Sequence, residues 1–337
     1  MFEPLSPDTT LWSRYHIKEL VARGGQGSIY KAEDLRLDGR LCAIKEVVPD
    51  IGASKEHQEQ TQSQFHREAS ILARLDHPNL PKVSDYFFYN GRDYLVMDYV
   101  PGNDLRQIIE EARAEKRFIP EKQVLEWARQ ILDALIYLHE QTPPILHRDI
   151  KPANIKLTPN GPLKLVDFGL VKVMVPEDNR TITVLQGKGT VQYTPMEQYG
   201  GDTGHTDVRS DIYSLGATLY HLLTLQPPPE AKERFLYPDQ TISLRDINPA
   251  ITQKTEQAVV HALAMHPNDR PKDAKTFKRE LLGDSMFVAN GITPPWWGRE
   301  LQTALTEHRT LLAIVGLLFA LAVIITTFAP HLPVPTS

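Results

Sequence analysis

The chain has 337 residues, of which 41% are hydrophobic and 23% are charged; this balance is typical of soluble globular proteins and excludes general disorder, collagen-like repeats and a many-span membrane protein. The formal net charge of −5 argues against nucleic acid as the main partner, because proteins that bind phosphate backbones are usually basic. The single cysteine, Cys42, excludes an internal disulfide and a zinc site built from thiolates.

The pattern of apolar residues divides the chain into a β-rich part and a helical part. The first ten residues have no basic start and no apolar run, so we expect no secretory signal and synthesis in the cytosol. Residues 16–100 read mainly as strands, among them 40–48 and 93–100. Residues 121–140 and 211–224 carry apolar residues at spacings of three and four, which predicts helices. Two lobes with a cleft between them are therefore expected.

Residues 311–329 form an apolar run without a charge, in which Thr326 and Thr327 are the polar side chains. A helix of this length rises about 28 Å, close to the thickness of the hydrocarbon core of a bilayer. A buried helix of a globular core is the alternative interpretation, but such a helix normally keeps a polar stripe. We therefore expect a transmembrane helix over residues 310–329.

The charges beside this run predict its orientation. Arg299 and Arg309 precede it, whereas His331 follows it. Because positive charge stays on the cytoplasmic side, we expect a single-pass membrane protein whose preceding residues are cytoplasmic. Residues 283–309 would be a juxtamembrane linker, and residues 330–337 a short extracytoplasmic tail.

Two small residues, Gly316 and Ala320, lie four positions apart within the run. Such a pair would let two spans approach closely, which makes a homodimer one candidate assembly. Small residues scattered in an apolar helix are the other interpretation, and the sequence leaves both open.

Residues 22–30 read Ala-Arg-Gly-Gly-Gln-Gly-Ser-Ile-Tyr and lie between two strand-like runs. Glycines permit a tight turn in which backbone N–H groups approach phosphate oxygens. Taken alone, the turn is weak evidence for phosphate binding and favours an ordinary hairpin.

A single lysine, Lys45, follows the apolar residues Cys42-Ala43-Ile44 of a predicted strand. A half-buried ammonium needs a partner, and Glu68 in the helical stretch 65–75 is a candidate. An exposed lysine on an edge strand is the alternative interpretation. The polar segment 49–64 is expected to be an exposed loop or the start of that helix.

The most specific pattern is residues 147–154, His-Arg-Asp-Ile-Lys-Pro-Ala-Asn, which precede Asp167-Phe168-Gly169. Mg²⁺ prefers oxygen ligands and bridges nucleotide phosphates, and Asn154 and Asp167 supply such oxygens. Asp149 can accept a hydroxyl proton, and Lys151 can offset the charge that develops on a transferred phosphoryl group. The two motifs in this order predict metal-assisted phosphoryl transfer rather than ordinary loop caps.

With these motifs in this order, residues 14–282 resemble the bacterial serine/threonine members of the eukaryotic-type protein kinase family. The resemblance implies an α+β, bilobal protein-kinase fold with a β-rich N-lobe (14–100) and a helical C-lobe (101–282) after an N-terminal extension (1–13). It also implies a signalling kinase that uses ATP with Mg²⁺ (or Mn²⁺) and acts on proteins. From the apolar run and the net charge described above, we further expect this kinase to be attached to the membrane, to have its kinase domain in the cytoplasm and not to bind nucleic acid.

The resemblance also assigns roles to individual residues. Asp149 would be the catalytic aspartate, assisted by Lys151 and Lys45, and Asn154 and Asp167 would hold the metal ion. A larger set would bind ATP: Ala22, Gly24, Gly25, Gly27, Ile29, Ala43, Lys45, Glu68, Met97, Asp98 and Val100.

Within that ATP-binding set, Lys45 would bind the α- and β-phosphates and pair with Glu68 in the active state. Met97 would lie at the back of the adenine pocket. The hinge residues 98–100 would offer backbone hydrogen bonds to adenine.

Four residues are expected to serve the structure of the C-lobe. Thr190 would bond the catalytic aspartate, and Asp211 would brace the backbone of the catalytic loop. Glu197 and Arg270 would form a buried ion pair.

The sequence also suggests a regulatory segment. Thr181 and Thr183 lie near the centre of the expected activation segment, and a phosphate on either would pair with Arg148. Autophosphorylation at one or both is our hypothesis, and ordinary loop threonines are the alternative. Lys151, two positions after the aspartate, is similar to serine/threonine rather than tyrosine kinases.

The sequence departs from the family pattern at two places. Ala22 replaces the first glycine of the glycine-rich loop, and Pro195-Met196-Glu197 replaces Ala-Pro-Glu. Neither change touches the phosphate or metal ligands, although the second weakens any claim about peptide specificity.

Two other functions compete with an active protein kinase. A pseudokinase scaffold would normally lack Lys45, Asp149 or Asp167, and all three are present. A small-molecule kinase of similar fold is disfavoured by the segment 189–197 and by Arg270.

Overall fold

The computed structural model describes residues 3–24, 27–48, 52, 54–159, 161–167, 191–199, 206–237 and 243–283. They fall within one unit, Met1–Gly283, and a second unit, Asp284–Ser337, lies outside the described residues. No helix in the described ranges is long and apolar enough to cross a membrane. The predicted span over 310–329 is not among those ranges.

Six strands form one antiparallel sheet in the order β1-β2-β3-β4-β6-β5. The strands are β1 (Thr10–Leu11), β2 (Tyr15–Gly24), β3 (Gly27–Asp34), β4 (Arg40–Val47), β5 (Val83–Tyr89) and β6 (Arg92–Asp98). Burial alternates along β3 and β4, as expected when successive side chains point to opposite faces of a sheet. Because β2 ends at Gly24 and β3 begins at Gly27, the glycine-rich turn lies at one end of the sheet.

Helix α1 (Lys55–Leu72) packs against β5 and β6. The polar segment 49–64 was expected to be an exposed loop or the start of this helix, and from Lys55 onwards it is helix. Phe65, Ala69 and Leu72 are buried, whereas the first turns are polar and largely exposed. An apolar period therefore marks only the second half of the helix.

The second lobe is built from helices and one short hairpin. Its elements are α2 (Leu105–Ala114), α3 (Glu121–His139), β7 (Ile155–Leu157), β8 (Leu163–Leu165), α4 (Val208–Thr224), α5 (Ala231–Leu236), α6 (Gln253–Ala262) and α7 (Ala274–Leu282). Side chains cap the N-termini of α2, α4, α6 and α7: Asp104, Asp207, Thr252 and Asp273. Each cap satisfies an N–H that the helix itself leaves unpaired.

Helix α4 is the centre of this lobe, because every side chain from Ser210 to Thr224 is buried. It contacts α2, α3, α6 and α7. A helix that is buried all round lies inside a core rather than on its surface, and α4 therefore provides a fixed frame for the loops that rest on it.

Asn79, in the loop after α1, fastens the first lobe to the second. Its side-chain amide donates to the carbonyl of Leu163 at 2.8 Å, and the N–H of Leu165 donates to the Asn79 carbonyl at 2.8 Å. The joined strand, β8, leads directly into Asp167. The loop after α1 is thereby fixed to the strand that precedes Asp167.

Candidate active site

Lys45 and Asp167 meet between the two lobes. Lys45 lies on β4, on the face opposite to the buried side chains of Cys42 and Ile44, and Asp167 follows β8. The Lys45 Nζ lies 2.6 Å from Asp167 Oδ1. Burial would raise the pKa of Asp167, but the neighbouring Lys45 ammonium outweighs it and holds that pKa below its usual value. The carboxylate is therefore ionised at neutral pH.

The structure does not show the predicted pairing of Lys45 with Glu68. The ion pairs of the described residues include Lys45 with Asp167 and none of Lys45 with Glu68. Glu68 instead accepts a hydrogen bond from Gln64 Nε2 at 3.0 Å, and its charge acts on Arg148. The expected pairing of Lys45 with Glu68 in the active state stays a prediction.

The catalytic-loop residues form a connected cluster. Lys151 Nζ lies 2.8 Å from Asp149 Oδ2, and Asn154 Nδ2 donates to the carbonyl and to the carboxylate of Asp149, both at 2.8 Å. The carbonyl of Asn154 accepts from the N–H of Val166, next to Asp167. Asp149, Asn154 and Asp167 are thus tied to one short stretch of backbone.

Two residues of this region have a left-handed backbone. Arg148 has φ 64° and Asp167 has φ 56°. A non-glycine residue in this region costs on the order of 1–3 kcal/mol, and such strain clusters at functional sites. The two strained residues are the neighbour of Asp149 and Asp167 itself, the carboxylates that the sequence predicts for catalysis and metal binding.

Asp211 holds the backbone of the catalytic loop. Its carboxylate accepts hydrogen bonds from the N–H groups of His147 and Arg148 at 2.9 and 2.8 Å, and from His139 Nε2 at 3.0 Å. Burial would raise the pKa of Asp211, but these donors lower it overall. The side chain therefore serves as a charged acceptor inside the core.

The donor set fits a divalent cation that shares its coordination with phosphates. The amide nitrogen of Asn154 is engaged with Asp149, so its side-chain oxygen can serve a ligand, as can the carboxylate of Asp167. Within the described ranges, no group of three or more His, Cys, Asp and Glu side chains is placed to hold a metal on its own. Two protein oxygens with substrate phosphates and water suit Mg²⁺, which rarely takes an all-protein cage.

The predicted nucleotide residues lie along β2, β3, β4 and β6. Ala22 pairs with Ile29 across the turn, and Ala43 pairs with the buried Met97. The N–H of Asp98 donates to the Lys82 carbonyl at 3.0 Å, so this hinge N–H is already engaged.

Five of the predicted positions cannot be placed or are only partly placed. Gly25, Thr181, Thr183 and Thr190 lie outside the described residues. Arg148, the predicted partner of a phosphate, donates to Thr206 Oγ1 at 3.1 Å, and its buried Nε has no hydrogen-bond partner within the described ranges.

Glu197 and Arg270 lie in contact in the second lobe. The guanidinium binds both carboxylate oxygens, at 2.6 and 3.0 Å, and also donates to the carbonyls of Ala264, Met265 and Arg209. The Arg270 side chain is fully buried. The pair therefore links the segment 191–199, which carries Glu197, to the loop between α6 and α7, which carries Arg270.

Sequence reasoning missed a polar stripe on α4. Ser214 donates to the carbonyl of Tyr193 at 2.8 Å, Thr218 contacts the carbonyl of Ile150, and His221 Nδ1 accepts from the Tyr193 hydroxyl at 2.7 Å. Burial lowers the pKa of His221 to about 4, so the neutral ring can accept. Together with Asp211, these residues recur every three or four positions, a signal that was present in the sequence.

A family model of the protein kinase domain matches residues 15–285. The chain belongs to the protein kinase family. The kinase domain of Mycobacterium tuberculosis PknI is similar to it in structure, with a TM-score of 0.62 and 26% identity over 83% of this chain and 100% of that one. The PpkA-294 apo form gives a TM-score of 0.62 at 27% identity. The expected bilobal kinase fold is confirmed.

Curated relatives carry serine/threonine-kinase names. A probable serine/threonine-protein kinase of Streptomyces coelicolor is 35% identical over 280 residues, which cover 80% of this chain and 40% of the relative. PknB of Mycobacterium tuberculosis is 32% identical over 297 residues, which cover 84% and 44%. This chain thus spans less than half the length of these two relatives. The family uses ATP with Mg²⁺ or Mn²⁺.

Proposed function

We propose that this protein transfers the γ-phosphoryl group of ATP to serine and threonine hydroxyls of proteins. The observation that carries the proposal is the convergence of Lys45, Asp149, Asn154 and Asp167 on one cleft. Lys45 contacts Asp167 at 2.6 Å, and Asn154 contacts Asp149 at 2.8 Å. A lysine, two carboxylates and an amide in this arrangement suit the positioning and charge neutralisation that phosphoryl transfer needs.

The side chains of the cleft have separate tasks in this mechanism. Asp149 orients the acceptor hydroxyl and takes its proton. Lys151, 2.8 Å from Asp149, offsets negative charge on the transferred group. Lys45 binds the non-transferred phosphates. Mg²⁺ held by Asn154 and Asp167 supplies neutralisation of the triphosphate charge when it is bound.

Transfer from radiolabelled ATP to a protein acceptor tests this proposal. We expect Asp149→Asn to lower kcat by at least about 100-fold, in the range typical of lost general-base catalysis. Asp133→Asn is the matched control, because Asp133 pairs with Lys278 on α3's surface and lies outside the cleft. Equal rates in wild type and Asp149→Asn would instead favour a scaffold or a contaminating kinase.

The acceptor class is part of the proposal. The lysine two positions after Asp149 and the serine/threonine-kinase names of the relatives support serine and threonine. Acid hydrolysis of the labelled acceptor should release phosphoserine and phosphothreonine. Phosphotyrosine as the main product would overturn this choice.

We further propose autophosphorylation at Thr181 or Thr183. Arg148 supports it, because its buried Nε has no hydrogen-bond partner in the described part of the chain and would gain one from a phosphate. Mass spectrometry of purified protein after incubation with ATP should find phosphate between residues 170 and 194. Its absence at full transfer activity would remove the hypothesis.

Membrane attachment through residues 311–329 is also a proposal. The uncharged apolar run and the arginines before it support a single span with the catalytic residues on the cytoplasmic side. We expect the full chain to sediment with membranes and to resist carbonate extraction, and a chain ending at residue 309 to be soluble. A full chain recovered in the soluble fraction would contradict the span, and crosslinking in the membrane fraction would test the homodimer.

A further inference from the structure

Glu46 is a buried carboxylate next to Lys45, on the opposite face of β4. Strand β4 alternates, and the side chains at 42, 44 and 46 all point into the small apolar cluster of the first lobe. The first two are apolar, whereas Glu46 is a carboxylate with 2% exposure. A buried carboxylate is costly unless it is paired, so its presence at a position suited to an apolar residue calls for a reason.

Three side chains hold this carboxylate. Tyr30 donates to Oε2 at 2.9 Å, Tyr94 donates to Oε1 at 3.4 Å, and Arg92 donates to Oε1 in an ion pair. Both tyrosine rings are buried. These donors come from β3 and β6, the two strands that flank β4. The carboxylate therefore ties three neighbouring strands together at one level of the sheet.

The N-terminal extension closes this network from outside. The N–H of Leu5 donates to the Tyr30 hydroxyl at 2.9 Å, and Arg92 reaches the carbonyl of Glu3 at 3.4 Å. The Tyr30 hydroxyl thus accepts from one side and donates to Glu46 on the other. Residues that looked like a plain extension in the sequence take part in the network.

The backbone of Glu46 touches the glycine-rich loop. Gly27 has φ +146°, and a Cβ at this position would lie 1.8 Å from the carbonyl oxygen of Glu46. The turn between β2 and β3 therefore rests directly on this peptide unit.

We infer that Glu46 is a positioning residue for the nucleotide triphosphate. The side chain of Glu46 fixes the backbone of β4. The carbonyl of Glu46 supports Gly27, and the residue before it in the strand is Lys45. The two groups expected to contact the phosphates are thereby set at a fixed separation by one buried carboxylate. The inference rests on the proposed function, because Gly27 and Lys45 matter here as nucleotide ligands.

A pair of matched variants tests this inference. Glu46→Gln keeps the shape and removes the charge. Asp34→Asn is the control. Asp34 is also a carboxylate of the sheet with 2% exposure, and it pairs with Arg14. It lies at the opposite end of β3 from Gly27. Both variants should lower Tm, so loss of stability alone does not separate them.

Nucleotide binding separates the two variants. We expect Glu46→Gln to raise the Kd and KM for MgATP about tenfold, with the KM for the acceptor peptide and kcat changed less than about twofold. Asp34→Asn should leave the Kd for MgATP within about twofold of wild type. An unchanged Kd in Glu46→Gln, or an equal increase in both variants, would overturn the positioning role.

Tyr30→Phe guards against a Glu46→Gln protein that does not fold. It removes one donor without leaving an uncompensated charge, and we expect a Kd for MgATP about threefold higher than wild type. An unchanged Kd in a folded Tyr30→Phe protein would also count against the inference. If the wild type binds MgATP but transfers no phosphate, the proposed function is wrong. The Kd values of the variants would still test whether Glu46 positions the nucleotide.

Discussion

At the scale of single residues, Gly24 and Gly27 of the glycine-rich turn differ in what an added side chain would contact. A Cβ at Gly27 would overlap the carbonyl of Glu46, whereas a Cβ at Gly24 would meet nothing within 4 Å. Backbone atoms cannot swing aside as a flexible side chain can. The structure therefore separates a glycine that is required from one that tolerates alanine.

We predict that Gly27→Ala weakens MgATP binding by at least tenfold, which corresponds to about 1.4 kcal/mol. Gly24→Ala, the matched control, should bind within about twofold of wild type. Isothermal titration calorimetry with a non-hydrolysable ATP analogue measures both. Equal affinities for the two variants would contradict the close approach of Gly27 to β4.

The Glu197–Arg270 pair belongs to the same scale. Glu197→Gln leaves a fully buried guanidinium without its counter-charge, and breaking a buried pair from one side typically costs about 3–5 kcal/mol. Glu126→Gln is the control, because its partner Arg129 is about half exposed, and such surface pairs contribute about 0–1 kcal/mol. Urea unfolding of the two variants should show this difference, and equal losses would assign Glu197 a surface role.

Residue contacts were only partly predictable from the sequence. The types of the cleft residues were evident from their motifs, because phosphoryl transfer restricts which side chains can act. The contact of Lys45 with Asp167 was not, because it depends on how the sheet is placed against the segment that follows β8. The pairing of Lys45 with Glu68 in the active state stays a prediction.

At the scale of elements, helix α4 connects the core to the catalytic loop through Asp211. The carboxylate bonds two backbone N–H groups and His139, and its pKa in the folded protein lies below the ordinary value. A depressed folded-state pKa means that the stabilisation is complete above the unfolded pKa of about 3.9 and is lost as the pH falls through the folded value.

We therefore predict that Asp211→Asn lowers Tm by the same amount between pH 7 and pH 5. Below about pH 4 the wild type should lose the stabilisation by the Asp211 carboxylate, and the Tm values of the two proteins should converge. Thermal melts across this pH series provide the measurement. Convergence already between pH 7 and pH 5 would point to a histidine rather than to Asp211.

Elements were predictable where apolar residues recur with a clear period. Helices α3 and α4 lie close to their predicted bounds, since their buried faces impose spacings of three and four. For helix α1 the sequence left open whether the polar residues before position 65 are loop or helix, because the first half of the helix faces solvent and has no apolar period. The polar stripe of α4 was visible in the spacing of residues 211, 214, 218 and 221, but its contacts required the fold.

At the scale of the whole molecule, contacts among the described residues join the lobes next to the proposed nucleotide site. Asn79 fastens the loop after α1 to β8, and Lys45 contacts Asp167 just beyond that strand. The order of the motifs predicted the bilobal fold because each motif belongs to a fixed element of the kinase domain. The joining contact through Asn79 carried no sequence signal, since one asparagine in a loop is common.

The central claim is that Lys45, Asp149, Asn154 and Asp167 surround one magnesium-bound nucleotide. A crystal structure of the protein with Mg²⁺ and a non-hydrolysable ATP analogue tests it most directly. We expect phosphate oxygens within hydrogen-bond distance of Lys45 Nζ, and a metal ion about 2.1 Å from oxygens of Asn154 and Asp167. A nucleotide bound elsewhere, with the 2.6 Å contact between Lys45 and Asp167 unchanged, would contradict it.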